Sequence, residues 1–211
     1  MATEDGGDGT VSTDYFDPPT LDSSELKWFV PVGTKYLLEG WGCSNVQEMI
    51  WGEEATLQVA QQAGRWTVVC VPAQHWTQRS PWDEFKALWC GWAVLGPKHR
   101  FYYTGDTGFC EGAFKKIGDK YGPFDLAALP IGAYAPRWFM RAQHIGPEEA
   151  VQVHKLVRAK KSLGVHWGTF HMGSTEFYLE PRTKLLEYAK EAGCKDGDLF
   201  TSGHGETIVI D

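Results

Sequence analysis

The sequence predicts an α/β fold, in which strands alternate with amphipathic helices. Short, continuous apolar runs indicate strands that are buried on both faces. Gly and Pro separate these runs from stretches with helical character, and such alternation is typical of α/β proteins. The chain has 211 residues, which is enough for one domain with a hydrophobic core.

Six segments carry the strand pattern. Each is short, rich in apolar or aromatic residues, and bounded by residues that favour turns. They are Trp66–Pro72, Leu88–Leu95, Arg100–Thr104, Asp125–Ile131, Ser162–His166 and Thr207–Ile210.

Three segments carry the helix pattern. The first begins at Pro147, because proline at the first helical position followed by two glutamates suits the positive end of the helix dipole. We expect it to end near Lys160 and Lys161. The second runs from Pro181 to a glycine stop at Gly193. The third is shorter and covers about residues 110–120.

Residues 1–25 differ in composition from the rest of the chain. They are rich in Gly, Asp, Ser, Thr and Pro, so they cannot offset the entropy of ordering. The seven acidic residues that precede Lys27 match the whole net charge of -7. We therefore expect a disordered acidic tail over residues 1–25 and a folded domain over residues 26–211.

Charge and cysteine content narrow the class of protein. A neutral body with an acidic tail offers no basic stripe for phosphates, which argues against nucleic acid as a partner. Five scattered cysteines form no C-x-x-C pair, and their odd number suits a reducing, intracellular compartment. The longest apolar stretch, residues 87–95, is too short to span a bilayer, which takes about 20 residues.

Candidate metal ligands stand immediately after three of the predicted strands. His75 follows the first strand, Asp106 lies in a Gly-Asp-Thr-Gly turn after the third, and His166 closes the fifth. Open α/β sheets place their ligand-binding loops at such strand ends. Imidazole and carboxylate groups are ligands that zinc takes, and His144 lies in a loop between a strand and a helix.

Each of these residues also has an ordinary structural explanation. A single histidine at a strand end is often a hydrogen-bonded core residue, and aspartate before Thr-Gly often stabilises a turn. Only their joint occurrence favours a metal site. The chain has no G-x-S-x-G, no P-loop, no G-x-G-x-x-G and no H-E-x-x-H motif, which disfavours a serine elbow and P-loop phosphate binding.

Several longer sequence motifs occur in this order along the chain: PAQHW, FYYTGDTG, FDLAALPIGAYAPRWFM, QHIGPEEAV and VHWGTF. Together they resemble the N-acylphosphatidylethanolamine-hydrolysing phospholipases D of the metallo-β-lactamase superfamily, from about Leu26 to near the end of the chain. The resemblance implies an αββα sandwich and hydrolysis of a phospholipid to an N-acylethanolamine and phosphatidic acid. It also implies peripheral contact with internal membranes.

The same resemblance implies roles for five residues. His75 would bind one of two zinc ions, His166 the other, and Asp106 would bridge both. His144 looks like the histidine beside the substrate phosphate, and Gln143 would help to shape the substrate loop, although a surface amide is an alternative for Gln143.

The superfamily normally supplies further zinc ligands from a His-x-His-x-Asp-His run, and this chain has no histidine before His75. We therefore expect a sandwich that is incomplete in its amino-terminal half, with two protein ligands for each ion where catalytic zinc takes about three. Weak zinc binding and an exposed apolar face would follow.

The remaining histidines and one aromatic cluster leave alternatives open. We expect solvated positions for His99 and His154, and structural roles for His171 and His204 in loops. Residues 137–141, RWFMR, fit either a phospholipid interface or an ordinary packed loop. The alternative functions are an inactive binding module, which could be a homodimer, and a related hydrolase with another phosphodiester or ester substrate.

Overall fold

The computed structural model describes residues 26–57, 64–170, 172–203 and 205–210. The predicted tail over residues 1–25 therefore lies outside the described residues. Within the described ranges the strands are β1 (Trp28–Pro31), β2 (Val46–Met49), β3 (Glu54–Leu57), β4 (Trp66–Pro72), β5 (Cys90–Leu95), β6 (Arg100–Tyr103), β7 (Phe124–Pro130), β8 (Ala159–Val165) and β9 (Leu199–Phe200). The helices are α1 (Lys35–Gly40), α2 (Glu111–Tyr121), α3 (Arg137–Met140), α4 (Pro147–Leu156) and α5 (Glu180–Glu191).

The main sheet has seven strands in the order β3-β4-β5-β6-β7-β8-β9. Strands β3 to β6 pair in antiparallel fashion, and β6 to β9 pair in parallel. Because β4 and β6 are both antiparallel to β5, β4 runs in the same direction as β6, β7 and β8. The carboxyl ends of these four strands therefore meet at one edge of the sheet, which is where α/β proteins place their sites.

One face of the main sheet packs against helices α2, α4 and α5. Phe114 of α2, Val153 of α4 and Leu185 of α5 are buried in the same core as the strand residues. Tyr102 of β6 and Phe124 of β7 stack there with ring centroids 5.3 Å apart. Burying such large side chains stabilises the fold by about 1.5–3 kcal/mol each.

The opposite face of the sheet carries a second, two-stranded sheet, in which β1 and β2 pair in parallel. Met49 of β2 packs against Ala55 of β3 and Cys70 of β4. This arrangement puts β1, β2 and α1 on the side away from the large helices. The fold is α/β, as predicted. Its main sheet is mixed, and the described part of its second sheet has two strands.

Most predicted elements are confirmed by the structure. Strand β4 coincides with the predicted segment, and its four central residues, 68–71, are buried as expected for a strand covered on both faces. Helices α2 and α5 lie where the sequence predicted them. The four-residue strands β1, β2 and β3 were not predicted, because such short segments carry too little pattern.

The predicted end of one helix is wrong. Helix α4 ends at Leu156, and Lys160 and Lys161 belong to strand β8. The chain turns at Arg158, which has a positive φ of 57°, and its guanidinium donates to the carbonyl oxygens of Asp119 and Gly122 at 3.4 and 3.2 Å. These bonds hold the turn against the end of α2, so the helix cannot continue.

The predicted strand Thr207–Ile210 is also wrong. These residues form neither strand nor helix, and Val209 is 77% exposed. The short strand β9 pairs with β8, with Leu199 opposite Ser162. Leu199 is buried. The strand beside β8 at this edge of the sheet therefore comes from a segment whose sequence shows little strand pattern.

Candidate metal centre

Four polar side chains meet at the edge of the sheet where β4, β6, β7 and β8 end. His75 follows β4, Asp106 follows β6, and His166 follows β8 directly. His144 lies between α3 and α4, in the connection that follows β7. The sequence placed these residues at strand ends, and the shared direction of the four strands brings them together.

The distances define a single cluster. One ligand atom each from His75, Asp106 and His144 lies within 4.8 Å of the others. Nε2 of His166 lies 3.6 Å from Oδ1 of Asp106. The His144 ring stands edge-on to His75, with centroids 5.2 Å apart, and stacks on His166 at 5.5 Å. All four groups therefore face one space.

The two ring nitrogens of His75 have different environments. Nδ1 donates to the carbonyl oxygen of Trp76 at 2.8 Å, which leaves the lone pair on Nε2. Nε2 is buried and has no hydrogen-bond partner in the part of the chain that the structure describes. Histidines that bind metals commonly donate their other nitrogen to a carbonyl in this way. The geometry thus suits Nε2 of His75 as a metal ligand.

His144 supplies the second buried ring nitrogen of the cluster. Its Nδ1 is buried and has no partner among the described residues. Burial lowers the pKa of His144 to about 4; the Asp106 carboxylate opposes this shift, while His75 and His166 reinforce it. The imidazole is therefore neutral near pH 7, and a neutral imidazole can accept a hydrogen bond or bind a metal.

Hydrogen bonds tie the loops around the cluster to one another. The side-chain hydroxyl of buried Thr107 accepts from the backbone N–H of Gln74 at 2.9 Å. The carbonyl of Thr107 accepts from the N–H of Ile145 at 2.7 Å. The Gln74 side chain donates to the carbonyl of Ala142 at 2.8 Å. Gln74 thereby links the segments that carry His75 and Asp106 to the loop before His144, a role that the sequence did not reveal.

His166 is held in an uncommon backbone conformation. Its φ is 58°, and its Nδ1 lies 3.4 Å from the carbonyl oxygen of Gly132. A Cβ atom on Gly132 would lie 2.1 Å from the carbonyl oxygen of His166. Only glycine therefore permits the two segments to approach this closely. Nothing in the sequence pattern singled out Gly132.

The cluster at residues 137–141 separates into a partly buried anchor and an exposed edge. Arg137 donates to the carbonyl of His144 at 2.8 Å and pairs with Glu149. Arg137 is therefore a structural clamp on the His144 loop. Trp138 and Phe139 are 86% and 63% exposed. Gln143 is partly buried next to them, and its predicted part in shaping the substrate loop stays a prediction.

The other histidines do not join the cluster in the described ranges. His154 is 6% exposed and its Nδ1 lies 2.8 Å from the Ser162 hydroxyl, so the prediction of a solvated position is wrong, because this side of α4 packs on β8. His99 is exposed as predicted. His171 and His204 lie outside the described residues.

The donors present fit a metal such as zinc. Two buried imidazole nitrogens without partners and a carboxylate that is 40% exposed are nitrogen and oxygen ligands of the type that Zn²⁺ takes. His166 adds a third imidazole at the edge of the cluster. Within the described ranges, this is the one group of three or more possible ligands close enough to hold an ion.

Comparisons with known proteins identify the family of the chain. Residues 11–167 match a family model described as a beta-lactamase superfamily domain. The chain is 49% identical to N-acyl-phosphatidylethanolamine-hydrolyzing phospholipase D 1 of Caenorhabditis elegans, over 93% of this chain and 58% of that protein. It is 39% identical to the mitochondrial N-acyl-phosphatidylethanolamine-hydrolyzing phospholipase D of Saccharomyces cerevisiae, over 80% of this chain and 36% of that protein.

A solved structure shows the same fold. Igni18, a metallo hydrolase from the archaeon Ignicoccus hospitalis, superposes with a TM-score of 0.58 at 22% identity, over 83% of this chain and 64% of that one. The chain spans a little over half the length of the C. elegans relative and about a third of the yeast one. On the family match over residues 11–167, which is more than half of the sequence, the chain belongs to the metallo-β-lactamase superfamily.

Proposed function

We propose that this chain takes part in zinc-dependent hydrolysis of N-acylphosphatidylethanolamine, releasing an N-acylethanolamine and phosphatidic acid. The observation that carries the proposal is the convergence of His75, Asp106, His144 and His166 on one space. The names of the nematode and yeast relatives support this substrate. A phosphodiester is a suitable substrate for such a cluster, because its hydrolysis requires charge stabilisation at several oxygens at once.

In this proposal His75, His166 and the Asp106 carboxylate would hold two zinc ions. When bound, two such ions hold phosphate oxygens and lower the pKa of a coordinated water. The buried Nε2 of His75 supports its assignment, since that nitrogen has no other partner among the described residues. If His144 is reserved for the substrate, the described residues supply two ligands to each ion, so we expect this chain to retain zinc weakly.

His144 acts on the substrate phosphate in this proposal. Its ring lies between those of His75 and His166, so a group that reaches Asp106 also meets His144. Because burial lowers its pKa to about 4, His144 holds one proton on its ring and serves as a neutral hydrogen-bond donor. Gln143, the preceding residue, would contact the same ligand from the partly buried loop.

The phospholipid substrate implies contact with a membrane surface, and we propose peripheral binding to internal membranes. The exposed rings of Trp138 and Phe139 support this, since aromatic side chains favour the boundary between lipid and water. In the described part of the chain, no helix is long and apolar enough to cross a membrane. Vesicle co-sedimentation of Trp138→Ala against the parent chain tests the contact, and equal binding would reject it.

We also propose that two copies associate through the outer face of β6. Phe101 and Tyr103 point away from the helix layer, opposite to buried Tyr102, and are 37% and 40% exposed. Exposed apolar positions within a sheet face are typical of partner surfaces. Sedimentation equilibrium should show a dimer that Phe101→Ser weakens. A monomer at every concentration would reject the association.

The main experiment measures zinc per chain together with N-acylethanolamine release. His75→Ala should lose both, whereas His99→Ala, a matched change at an exposed histidine, should lose neither. Normal hydrolysis at near-zero metal would reject the mechanism. Plain phosphatidylethanolamine serves as the comparison substrate, and equal turnover of both lipids would reject the proposed specificity.

A metal-free chain that binds lipid without turnover would instead favour the inactive binding module. That alternative is supported by the supply of only two protein ligands to each ion.

A further inference from the structure

A separate cavity opens beside His166. It has a volume of about 300 Å³, at the lower end of the range for small-molecule sites. Gly132, Trp167 and Gly168 form the wall nearest the metal centre, and Phe170, Met172 and Phe177 form the outer wall. Since His166 directly precedes Trp167 and contacts Gly132, the cavity lies next to the site described above.

The polar side chains of the cavity already have partners. The Glu176 carboxylate accepts from the backbone N–H groups of Ala133 and Ala135 at 2.6 and 3.1 Å, and from the Ser174 hydroxyl at 3.0 Å. The Tyr178 hydroxyl donates to the carbonyl of Gly168 at 2.7 Å. A ligand that enters would therefore find few free polar groups among these side chains. A polar ligand would lose its hydrogen bonds to water without replacement.

The aromatic walls favour an apolar ligand. Phe170 and Phe177 both line the cavity and are each 72% exposed, so a hydrocarbon bound there would cover apolar ring surface that water now contacts. The Trp167 indole donates to the carbonyl of Gly164 at 3.1 Å, which fixes that ring against the strand end. The cavity is thus lined mainly by apolar side chains, with one aromatic ring held in place by a hydrogen bond and two that are exposed to solvent.

We propose that this cavity binds a single unbranched hydrocarbon chain of about ten methylenes. A methylene occupies roughly the volume of a water molecule, about 30 Å³, which sets this length. The proposal that a hydrocarbon chain binds here depends only on the cavity. Its identification as the N-acyl chain of the substrate rests on the proposed function, and it places that chain next to His166.

The test is a series of soluble N-acylethanolamines, from acetyl to dodecanoyl, titrated into the full chain below their micelle concentrations. We expect the Kd to fall by about fourfold for each added methylene and then to level off near ten carbons. A Kd that does not depend on length would overturn the proposal. So would a decrease that continues without a plateau, because an open surface has no end wall.

Variants locate the binding within the molecule. Phe177→Asp places a charge in the outer wall and should weaken decanoyl binding at least tenfold, with no change for the acetyl compound. Trp82→Asp, which changes an aromatic side chain that is 82% exposed on another loop, should leave both unchanged. Equal loss in the two variants would show that the chain binds elsewhere. Length-dependent binding without phospholipid hydrolysis would reject the proposed function and keep the cavity.

Discussion

Replacing Gly132 by alanine tests whether the close approach of two backbone segments positions His166. The new Cβ atom would lie 2.1 Å from the His166 carbonyl oxygen, whereas ordinary contacts begin at 3.4 Å. The His166 segment must therefore move by about 1.3 Å. Overpacking of this kind costs about 1–3 kcal/mol of unfolding free energy. A displacement of about 1 Å at a catalytic group lowers turnover about 100-fold.

Urea unfolding measures the stability of Gly132→Ala, and calorimetry measures its zinc affinity. We expect a loss of about 1–3 kcal/mol, and a decrease in zinc affinity of about 10- to 100-fold, because groups that orient ligands have effects of that size. Gly112→Ala is the matched control. Gly112 lies in α2 with open space around it, so its replacement should be neutral or stabilise by up to about 1 kcal/mol. Unchanged stability and zinc affinity in Gly132→Ala would refute the reasoning.

Three further predictions concern the bridge, the buried histidine and the core. Asp106→Asn should abolish both zinc retention and phospholipid turnover; retained turnover would remove its bridging role. Burial lowers the pKa of His154 below its ordinary value, so the folded chain keeps it neutral while the unfolded chain binds a proton below about pH 6.5. Its contribution to stability is therefore present above that pH and is lost as the pH falls towards the folded pKa of His154. His154→Gln should flatten this loss in pH-dependent unfolding, and an unchanged pH dependence would contradict this prediction. Leu185→Ala, at a side chain that is 1% exposed, should cost about 2–5 kcal/mol, whereas Leu186→Ala on the exposed side of α5 should cost within about 0.5 kcal/mol; similar losses would contradict the assigned faces.

The strength of the local pattern explains which elements the sequence could predict. Strand β4 has seven residues with four buried in succession, and α5 has a proline in its first turn and ends before a glycine. Such signals depend on the segment itself. Strand β9 has two residues, and its place depends on β8 offering a free edge. The end of α4 depends on Arg158 reaching carbonyls of another helix, which no local pattern records.

The candidate site divides in the same way. The candidate ligands His75, Asp106 and His166 could be predicted, because the residue type and its position after a predicted strand can both be taken from the sequence. The supporting residues could not. Gln74 acts on Ala142, 68 positions away, and Glu176 holds the backbone of Ala133, 43 positions away. Side-chain chemistry is local, whereas these contacts exist only after the strands pair.

The sequence alone predicted an α/β chain with candidate metal ligands at its strand ends, because apolar runs and residue types are properties of short segments. The three-dimensional structure adds that β4 runs in the same direction as β6, β7 and β8. That direction brings His75, His144 and His166 around Asp106, next to the apolar cavity. Strand direction results from pairing between distant segments, so no single segment carries it.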